Sequence, residues 1–260
     1  MEIIQSILMG IVQGITEFLP VSSTAHLILV PWFLGWDGVI NSMSFDIALH
    51  VGTLFALLVV FFKDWLDILL RKHKLLMLLV IATIPGAVVG KLLDKYVDEH
   101  LRSPWVIAGS LVIVAVVMYL AEKRSIKVTG VDALSVTDAV IIGVSQAIAI
   151  IPGVSRSGIT ISSGLILGMK PEEAARFSFL MSTPIVAGAA VLHGIHILHG
   201  KAEAIDPKIF IAGVAASFVA GLLAITWFLK FLKRFSLTFF CYYRVVLAFV
   251  VVLGIWLKSS

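Results

Sequence analysis

Cysteine and charged residues are scarce in this chain of 260 residues. It contains a single cysteine, Cys241, so an internal disulfide and any metal site built from several cysteines are excluded. Charged residues make up 14% of the chain and hydrophobic residues 60%, a balance that water-soluble globular proteins do not have. The chain is therefore predicted to be a polytopic membrane protein.

The small basic excess lacks the pattern of a nucleic-acid-binding protein. The 20 Lys and Arg exceed the 16 Asp and Glu to give a net charge of +4, but the basic residues fall in short clusters between apolar segments. Such clusters are topology signals of membrane proteins, so nucleic acid is excluded as a partner. The first segment also lacks the basic start and the small-residue cleavage motif of a signal peptide, and we expect it to be retained.

Six apolar segments are long enough to cross about 30 Å of hydrocarbon as helices. They are expected at residues 44–62, 75–93, 104–121, 174–195, 209–229 and 238–257. Two further apolar stretches are broken by a proline and by polar residues, and each is predicted to form a re-entrant helical hairpin. The arms of these hairpins are expected at residues 1–19 and 22–34, and at 136–151 and 157–168.

The first hairpin contains a polar cluster near its turn. Gln13 and Glu17 are four residues apart and so share one helix face, and a proline three residues later is expected to end that helix. Ser22 or Ser23 is then the predicted N-cap of a second helix, whose first turn contains His26. The free N–H groups at such a helix N-terminus favour an anion such as phosphate.

The second hairpin repeats the order of residues in the first. In both, a glutamine follows a glycine by three residues and a serine follows a proline by three, with one residue dropped between the glutamine and the proline. The second copy supplies Arg156 where the first supplies a carboxylate and an imidazole. This echo predicts one membrane domain made of two repeats of opposite orientation, about residues 1–121 and 136–257, with a shared site near the membrane midplane.

Three motifs in this order resemble the undecaprenyl pyrophosphate phosphatases, the bacitracin-resistance family. They are Gln-x-x-x-Glu at 13–17, Pro-Val-Ser-Ser-Thr-x-His at 20–26 and Pro-Gly-x-Ser-Arg-Ser-x-x-Thr at 152–160, and the similarity extends to Phe45, Gly52, Thr53, Tyr243 and Arg244. Two departures are Ala25, where members often have glycine, and Gln13, which removes one carboxylate. The resemblance implies an integral membrane enzyme that cleaves undecaprenyl pyrophosphate to the monophosphate and inorganic phosphate at the outer face of the plasma membrane, recycling the cell-wall carrier lipid.

Four residues are expected to perform this chemistry. Ser23 is the candidate nucleophile, with His26 or Glu17 as its base, and a directly attacking water molecule is the alternative. Arg156 is expected to bind phosphate oxygens, because its planar fork of N–H donors matches their geometry.

Hydroxyl groups beside the two helix N-termini are expected to bind the substrate together with Arg156. They belong to Ser22, Ser155, Ser157 and Thr160. Helix capping alone explains Ser22 and Ser157 equally well, because serine is a favoured N-cap residue.

Glu17 and Gln13 are expected to hold a divalent cation, Mg²⁺ or Ca²⁺, because both ions prefer oxygen ligands and are commonly shared with phosphate. The expected partners are a lipid pyrophosphate and membrane lipids, and a homodimer is an open alternative. A lipid-phosphate flippase or an anion transporter is the rival function, since broken helices in inverted repeats also build transport sites.

Two further groups of polar residues have no definite role in this scheme. Asp46 and His50 share a helix face and are expected to support the cavity. The run of His193, His196 and His199 has the spacing of a metal-binding face, but we expect it to lie near the outer membrane boundary without that role.

The basic clusters predict the topology. Placing residues 63–74, 122–135, 169–176 and 230–237 in the cytoplasm gathers 12 Lys and Arg there, against 6 in the other loops and ends. Positively charged loops are enriched on the cytoplasmic side, so both termini and the site are expected to face outward. Arg244 and Asp138 are expected near the membrane interfaces or in structural pairs.

Overall fold

The computed structural model describes residues 2–199 and 206–259. Within these residues the chain forms eleven α-helices and no β-strand. The helices are α1 (Glu2–Thr16), α2 (Ser23–Leu34), α3 (Met43–Val60), α4 (Phe62–Leu70), α5 (His73–His100), α6 (Pro104–Arg124), α7 (Val136–Ile148), α8 (Arg156–Ile166), α9 (Pro171–Leu198), α10 (Pro207–Leu232) and α11 (Thr238–Ser259). Short 3₁₀ turns lie at Gly38–Asn41 and Val131–Ala133.

Six of these helices are long and apolar enough to cross a membrane, namely α3, α5, α6, α9, α10 and α11. Their outer surfaces expose large apolar side chains such as Leu223 and Phe249, which are 69% exposed. Such a surface suits lipid, whose tails are as apolar as leucine. The predicted all-α membrane fold with six spanning helices is confirmed.

The four remaining membrane-depth helices form two helix–turn–helix pairs, α1–α2 and α7–α8. They contain 15, 12, 13 and 11 residues, and at 1.5 Å per residue none of them reaches across the hydrocarbon. Each pair packs its first arm closely on a long helix through a glycine. Gly10 lies against the backbone of α10, and Gly143 lies against the backbone of α5, with no room for a Cβ atom at either. The re-entrant path of the two pairs stays a prediction.

The two pairs follow one register without a gap. Gln13 and Gln146, like Ser22 and Ser155, are 133 residues apart, and the two serines are the N-caps of α2 and α8, with φ of 73° and 71°. Counting three residues from each proline matched Ser23 to Ser155. These two serines are not equivalent, because the N-caps are Ser22 and Ser155. The start of each second helix is determined by the capping serine and not by the proline. The opposite orientation of the two halves stays a prediction.

Two segments outside the expected spans are largely helical. Residues 63–74 contain most of α4, because Trp65 and Ile68 form an apolar face that packs on the main hydrophobic core, and Ile68 is only 2% exposed. Residues 94–102 mostly continue α5, which ends at His100. The charged residues of these segments therefore concealed the helix α4 and the C-terminal part of α5.

The basic connections of the chain gather at one end of the molecule. Arg176 forms an ion pair with Asp64, which joins the connections 169–176 and 63–74. The backbone N–H of Lys170 donates to the carbonyl of Thr129 at 2.9 Å, which adds the connection 122–135. The last basic connection, 230–237, lines a surface hollow together with residues of two of the others. The four basic connections therefore share one end of the molecule, and the side of the membrane that this end faces stays a prediction.

Candidate active site

A buried arginine joins the turns of both helix pairs. Arg244 of α11 is fully buried, and its guanidinium donates to five backbone carbonyls. They belong to Pro20 (3.2 Å), Ser110 (3.4 Å), Leu111 (3.2 Å), Gly153 (2.7 Å) and Val154 (3.2 Å). An arginine has five N–H donors on three nitrogens, and each of the three nitrogens donates to at least one of these carbonyls. Of the two expectations for Arg244, the structural role fits these contacts, because the residue lies where the two turns meet.

Glu17 is the centre of the polar cluster that these turns bring together. Its carboxylate is buried, and its Oε2 accepts hydrogen bonds from Ser23 Oγ at 2.6 Å and from Gln13 Nε2 at 3.0 Å. Its Oε1 accepts from the Nη2 of Arg156, which lies 139 residues away in the sequence. Ser23 and Arg156 are the first residues of α2 and α8, so the two helix starts converge on one carboxylate.

His50 of α3 contacts the same carboxylate. Its Nε2 lies 3.4 Å from Oε2 of Glu17, and its Nδ1 lies 2.7 Å from the backbone carbonyl of Asp46. A carbonyl oxygen only accepts, so Nδ1 is the donor in that hydrogen bond. The carboxylate of Asp46 instead pairs with Arg102 at 3.3 Å. His50 therefore lies in the site itself, whereas Asp46 supports it through the backbone.

A cavity of about 340 Å³ opens beside this cluster. One wall is polar and includes Glu17, Ser22, Ser23, His50, Gln146, Ser155 and Arg156. The other wall is apolar and includes Ile47, Gly86, Ile150, Ile185 and Ala189. A cavity with one polar, charged wall and one apolar wall suits a ligand that has a phosphate group and a hydrocarbon chain.

Three polar atoms around the site are buried without a hydrogen-bond partner among the described residues. They are Oε1 of Gln13, Oε1 of Gln146 and Nη1 of Arg156. A buried polar atom left without a partner costs about 1–3 kcal/mol, so unpaired atoms of this kind mark positions where a ligand completes the hydrogen bonding. The unpaired guanidinium nitrogen is the one suited to an anion.

His26 has other partners than the expected one. Its Nδ1 lies 2.7 Å from the carbonyl of Ser22, and its Nε2 lies 2.7 Å from the hydroxyl of Tyr243. Its ring stacks on that tyrosine with the centroids 5.9 Å apart. His26 is not among the described residues that line the cavity, and the hydroxyl of Ser23 contacts Glu17 instead. Of the two expected bases, Glu17 is thus the one in contact with Ser23.

The remaining expected binding residues divide into two groups. Ser22 and Ser155 cap α2 and α8 and also line the cavity. Ser157 donates to the carbonyl of Leu19 at 3.1 Å, and Thr160 bonds to the carbonyl of Arg156 at 2.7 Å. Neither Ser157 nor Thr160 lines the cavity in the described part of the chain, and both stabilise the turns around it.

Sequence reasoning missed the roles of three residues. Gln146 lines the cavity at the position equivalent to Gln13, so the internal repeat was a usable signal for it. His50 was recognised as polar but not as a neighbour of Glu17. Arg244 was expected near an interface or in a structural pair, but its position between the two turns was not predicted, although an arginine inside an apolar span usually has a functional or structural partner. Within the histidine run, His193 has a structural partner, because its Nε2 lies 3.0 Å from Ser44 Oγ.

Comparisons with known proteins point in the same direction. The chain matches the family model described as "Bacitracin resistance protein BacA" over residues 6–250. It is 48% identical over 255 residues to the undecaprenyl-diphosphatase of Thermodesulfovibrio yellowstonii, covering 97% of both chains. It is 44% identical over 267 residues to the undecaprenyl-diphosphatase of Moorella thermoacetica, covering 99% of this chain and 100% of the relative. The corresponding protein of Pelotomaculum thermopropionicum is 41% identical over 260 residues, covering 97% and 96%.

Proposed function

Because the chain belongs to the bacitracin resistance protein BacA family, we propose that it hydrolyses undecaprenyl pyrophosphate to undecaprenyl phosphate and inorganic phosphate. The names of its relatives support this substrate. The observation that carries the proposal is the convergence of Glu17, Ser23 and Arg156 at two helix starts beside one cavity. This reaction recycles the carrier lipid of cell-wall synthesis.

The terminal phosphate binds between the N-termini of α2 and α8. Free backbone N–H groups and the positive ends of both helix dipoles favour an anion there. The unpaired Nη1 of Arg156 adds a charged donor. A bound phosphate also competes with Glu17 for the other guanidinium nitrogen, which releases the carboxylate to act as a base. The prenyl chain lies along the apolar wall of the cavity.

Ser23 is the nucleophile and Glu17 is its base. Oγ of Ser23 attacks the terminal phosphorus while its proton passes to Glu17, which is 2.6 Å away. The bond from that phosphorus to the bridging oxygen breaks, and undecaprenyl phosphate leaves. Water then attacks the phosphoserine, so that inorganic phosphate is released and the hydroxyl is restored. Direct attack by water with Glu17 as base is the alternative.

The residues around Glu17 fit a divalent cation that is shared with the substrate. Oε1 of Gln13 is buried and has no partner in the described structure, and it lies on the same helix face as the carboxylate. The described residues contain no group of three or more His, Cys, Asp or Glu side chains that could hold a metal. Phosphate oxygens and water would therefore complete the coordination, as is usual for Mg²⁺ and accessible to Ca²⁺. When bound, the cation neutralises charge on the phosphates.

The site faces outward from the plasma membrane. His50 lies in the N-terminal half of α3, and Gly90 and Ala189 lie in the C-terminal halves of α5 and α9. These parts of the three helices lie toward the end of the molecule opposite to the basic connections. With the basic end in the cytoplasm, the cavity opens to the outside. A homodimer stays a prediction.

Phosphate release from a C55 lipid pyrophosphate by the purified protein, with and without a chelator, tests the enzyme activity. Ser23→Ala should reduce release by roughly 10³-fold or more if serine is the nucleophile, because mutation of a nucleophile leaves only binding and electrostatic stabilisation. Ser163→Ala, a matched change on α8 whose hydroxyl bonds to the backbone of Ile159, should leave release nearly unchanged. Full turnover by Ser23→Ala would exclude serine and leave water as the attacking group. If no preparation releases phosphate but the protein moves the lipid across a membrane, the result would favour the alternative function, a flippase or transporter.

A further inference from the structure

The basic end of the molecule contains a second hollow, of about 460 Å³. It lies between the end of α6, the start of α9 and the turn from α10 to α11. Four cationic side chains line it, namely Lys127, Lys170, Lys233 and Arg234. Among the described residues, Lys170, Lys233 and Arg234 have no ion pair or hydrogen bond from their side chains. Two carboxylates, Glu122 and Glu172, also line the hollow, so four cations less two anions leave an excess of two positive charges for one ligand.

A buried carboxylate in the same hollow points to a ligand with a second chemical feature. Glu122 is only 9% exposed and its Oε1 is paired with Nζ of Lys127. Its Oε2 is buried and has no partner in the described part of the chain. A buried carboxylate oxygen is stable when it accepts a hydrogen bond. Glu122 lines the same hollow as the three cations, so a ligand bound there can supply the missing N–H or O–H donor.

We propose that this hollow binds the headgroup of a membrane phospholipid whose phosphodiester is followed by a hydrogen-bond donor. The phosphate lies among Lys170, Lys233 and Arg234, and a terminal ammonium or hydroxyl group donates to Oε2 of Glu122. Ethanolamine and glycerol headgroups have this chemistry, whereas choline has no N–H or O–H group.

The surroundings of the hollow favour a lipid over free phosphate. Ile126 and Val128 flank Lys127 in the sequence and are 71% and 63% exposed. Phe235 lines the hollow and is 60% exposed. These apolar side chains directly follow the ends of the spanning helices α6 and α10. Acyl chains attached to the headgroup can cover them there. Inorganic phosphate would leave them uncovered.

Lipid binding to the full chain in detergent, measured by native mass spectrometry at fixed ionic strength, tests the proposal. The double variant Lys233→Gln/Arg234→Gln should bind phosphatidylglycerol roughly 30-fold more weakly, since each cation near an anionic headgroup contributes about 1 kcal/mol. The matched double variant Lys63→Gln/Arg71→Gln removes two exposed charges from the same end of the molecule but outside the hollow. It should change binding by less than about 3-fold. Equal weakening in both variants, or none in the first, would overturn the proposal.

A comparison of headgroups tests the role of Glu122. Phosphatidylethanolamine and phosphatidylcholine have the same net charge, but only the first has N–H donors, so the wild-type protein should prefer it by about 5-fold or more, the value of one charged hydrogen bond. Glu122→Gln should reduce that preference. Equal binding of the two lipids would exclude the donor to Glu122. Displacement of phosphatidylglycerol by millimolar inorganic phosphate would identify a free-anion site and overturn the lipid assignment.

Discussion

At the scale of single residues, the site is organised by competition for one carboxylate. Gln13 and Ser23 donate to one oxygen of Glu17, and Arg156 donates to the other. His50 approaches the first oxygen to 3.4 Å. A phosphate that binds the guanidinium of Arg156 draws it away from Glu17. The hydroxyl of Ser23 is then the nearest donor to the carboxylate. In the proposed mechanism, substrate binding and base activation are thereby linked through one ion pair.

Arg156→Lys tests whether the guanidinium is used as a fork. Lysine keeps the positive charge but cannot donate to Glu17 and to a phosphate in the same planar geometry. Phosphate release should fall by roughly 100-fold, similar to the loss of one transition-state donor, while thermal unfolding changes little. Arg176→Lys, the same change in the ion pair with Asp64 at the basic end, serves as the control. Near-normal turnover of Arg156→Lys would remove this residue from the site.

Single substitutions at Gln13 and Glu17 test the cation site. Glu17→Gln should lose both turnover and the response to added Mg²⁺ or Ca²⁺. Gln13→Glu places two carboxylates side by side, which repel each other unless a cation lies between them. We therefore expect activity in that variant to depend more steeply on the cation, measured as phosphate release over a metal titration. Normal activity of Glu17→Gln together with an inactive Gln13→Glu would reverse the assignment.

At the scale of helices and turns, the site depends on two helix starts that are held in unusual backbone conformations. Ser22 and Ser155 have positive φ, a region that costs a non-glycine residue about 1–3 kcal/mol unless the surroundings impose it. Arg244 supplies such surroundings, because it bonds to carbonyls of both turns and of α6. The arginine therefore positions the two N-termini without lining the cavity.

Arg244→Lys should separate stability from chemistry. An ammonium cannot reach five carbonyls, so buried acceptors lose their partners, and we expect a loss of roughly 3 kcal/mol in the free energy of unfolding. Thermal unfolding in detergent should show a clearly lower midpoint, with activity lost in parallel. Arg156→Lys is the matched comparison, since it should lose activity and keep its midpoint. A normal midpoint for Arg244→Lys would contradict the positioning role.

At the scale of the whole molecule, the polarity of the two ends is the main feature. The basic connections meet at one end through Arg176, Asp64 and backbone hydrogen bonds. The cavity lies toward the other end, where Arg102 pairs with Asp46 and His193 contacts Ser44. This arrangement separates the proposed phosphatase site from the proposed headgroup hollow along the membrane normal.

Labelling of cysteines in intact cells tests which end faces outward. In a Cys241→Ser background, Asn41→Cys should react with a membrane-impermeant thiol reagent, because its loop lies at the end where the cavity opens. Arg71→Cys should react only after the membrane is permeabilised. Both positions are exposed, so accessibility within the protein is matched. Reaction at residue 71 with protection at residue 41 would place the cavity mouth in the cytoplasm.

Local chemistry was sufficient to predict most of the fold and part of the site from the sequence. Apolar runs of sufficient length predicted the six spanning helices, because the bilayer selects for length and hydropathy alone. Polar residues that interrupt such runs indicated a site at Glu17, Ser23 and Arg156, because polar groups at membrane depth cost free energy and usually have a function. The helix in residues 63–74 was missed because its apolar face, at Trp65 and Ile68, is too short to stand out from the charges around it.

Only the tertiary structure decided how the polar residues are paired. His26 bonds to Tyr243, 217 residues away, and not to Ser23, three residues before it. Arg244 lies between two turns that are themselves 133 residues apart, and His50 faces Glu17 from another helix. Periodicity in a sequence determines which face of a helix is polar, but the neighbour of that face depends on how helices pack. The sequence therefore identified the polar groups of the candidate site, and the packing of α3, α6 and α11 around the two turns determined which of them are in contact.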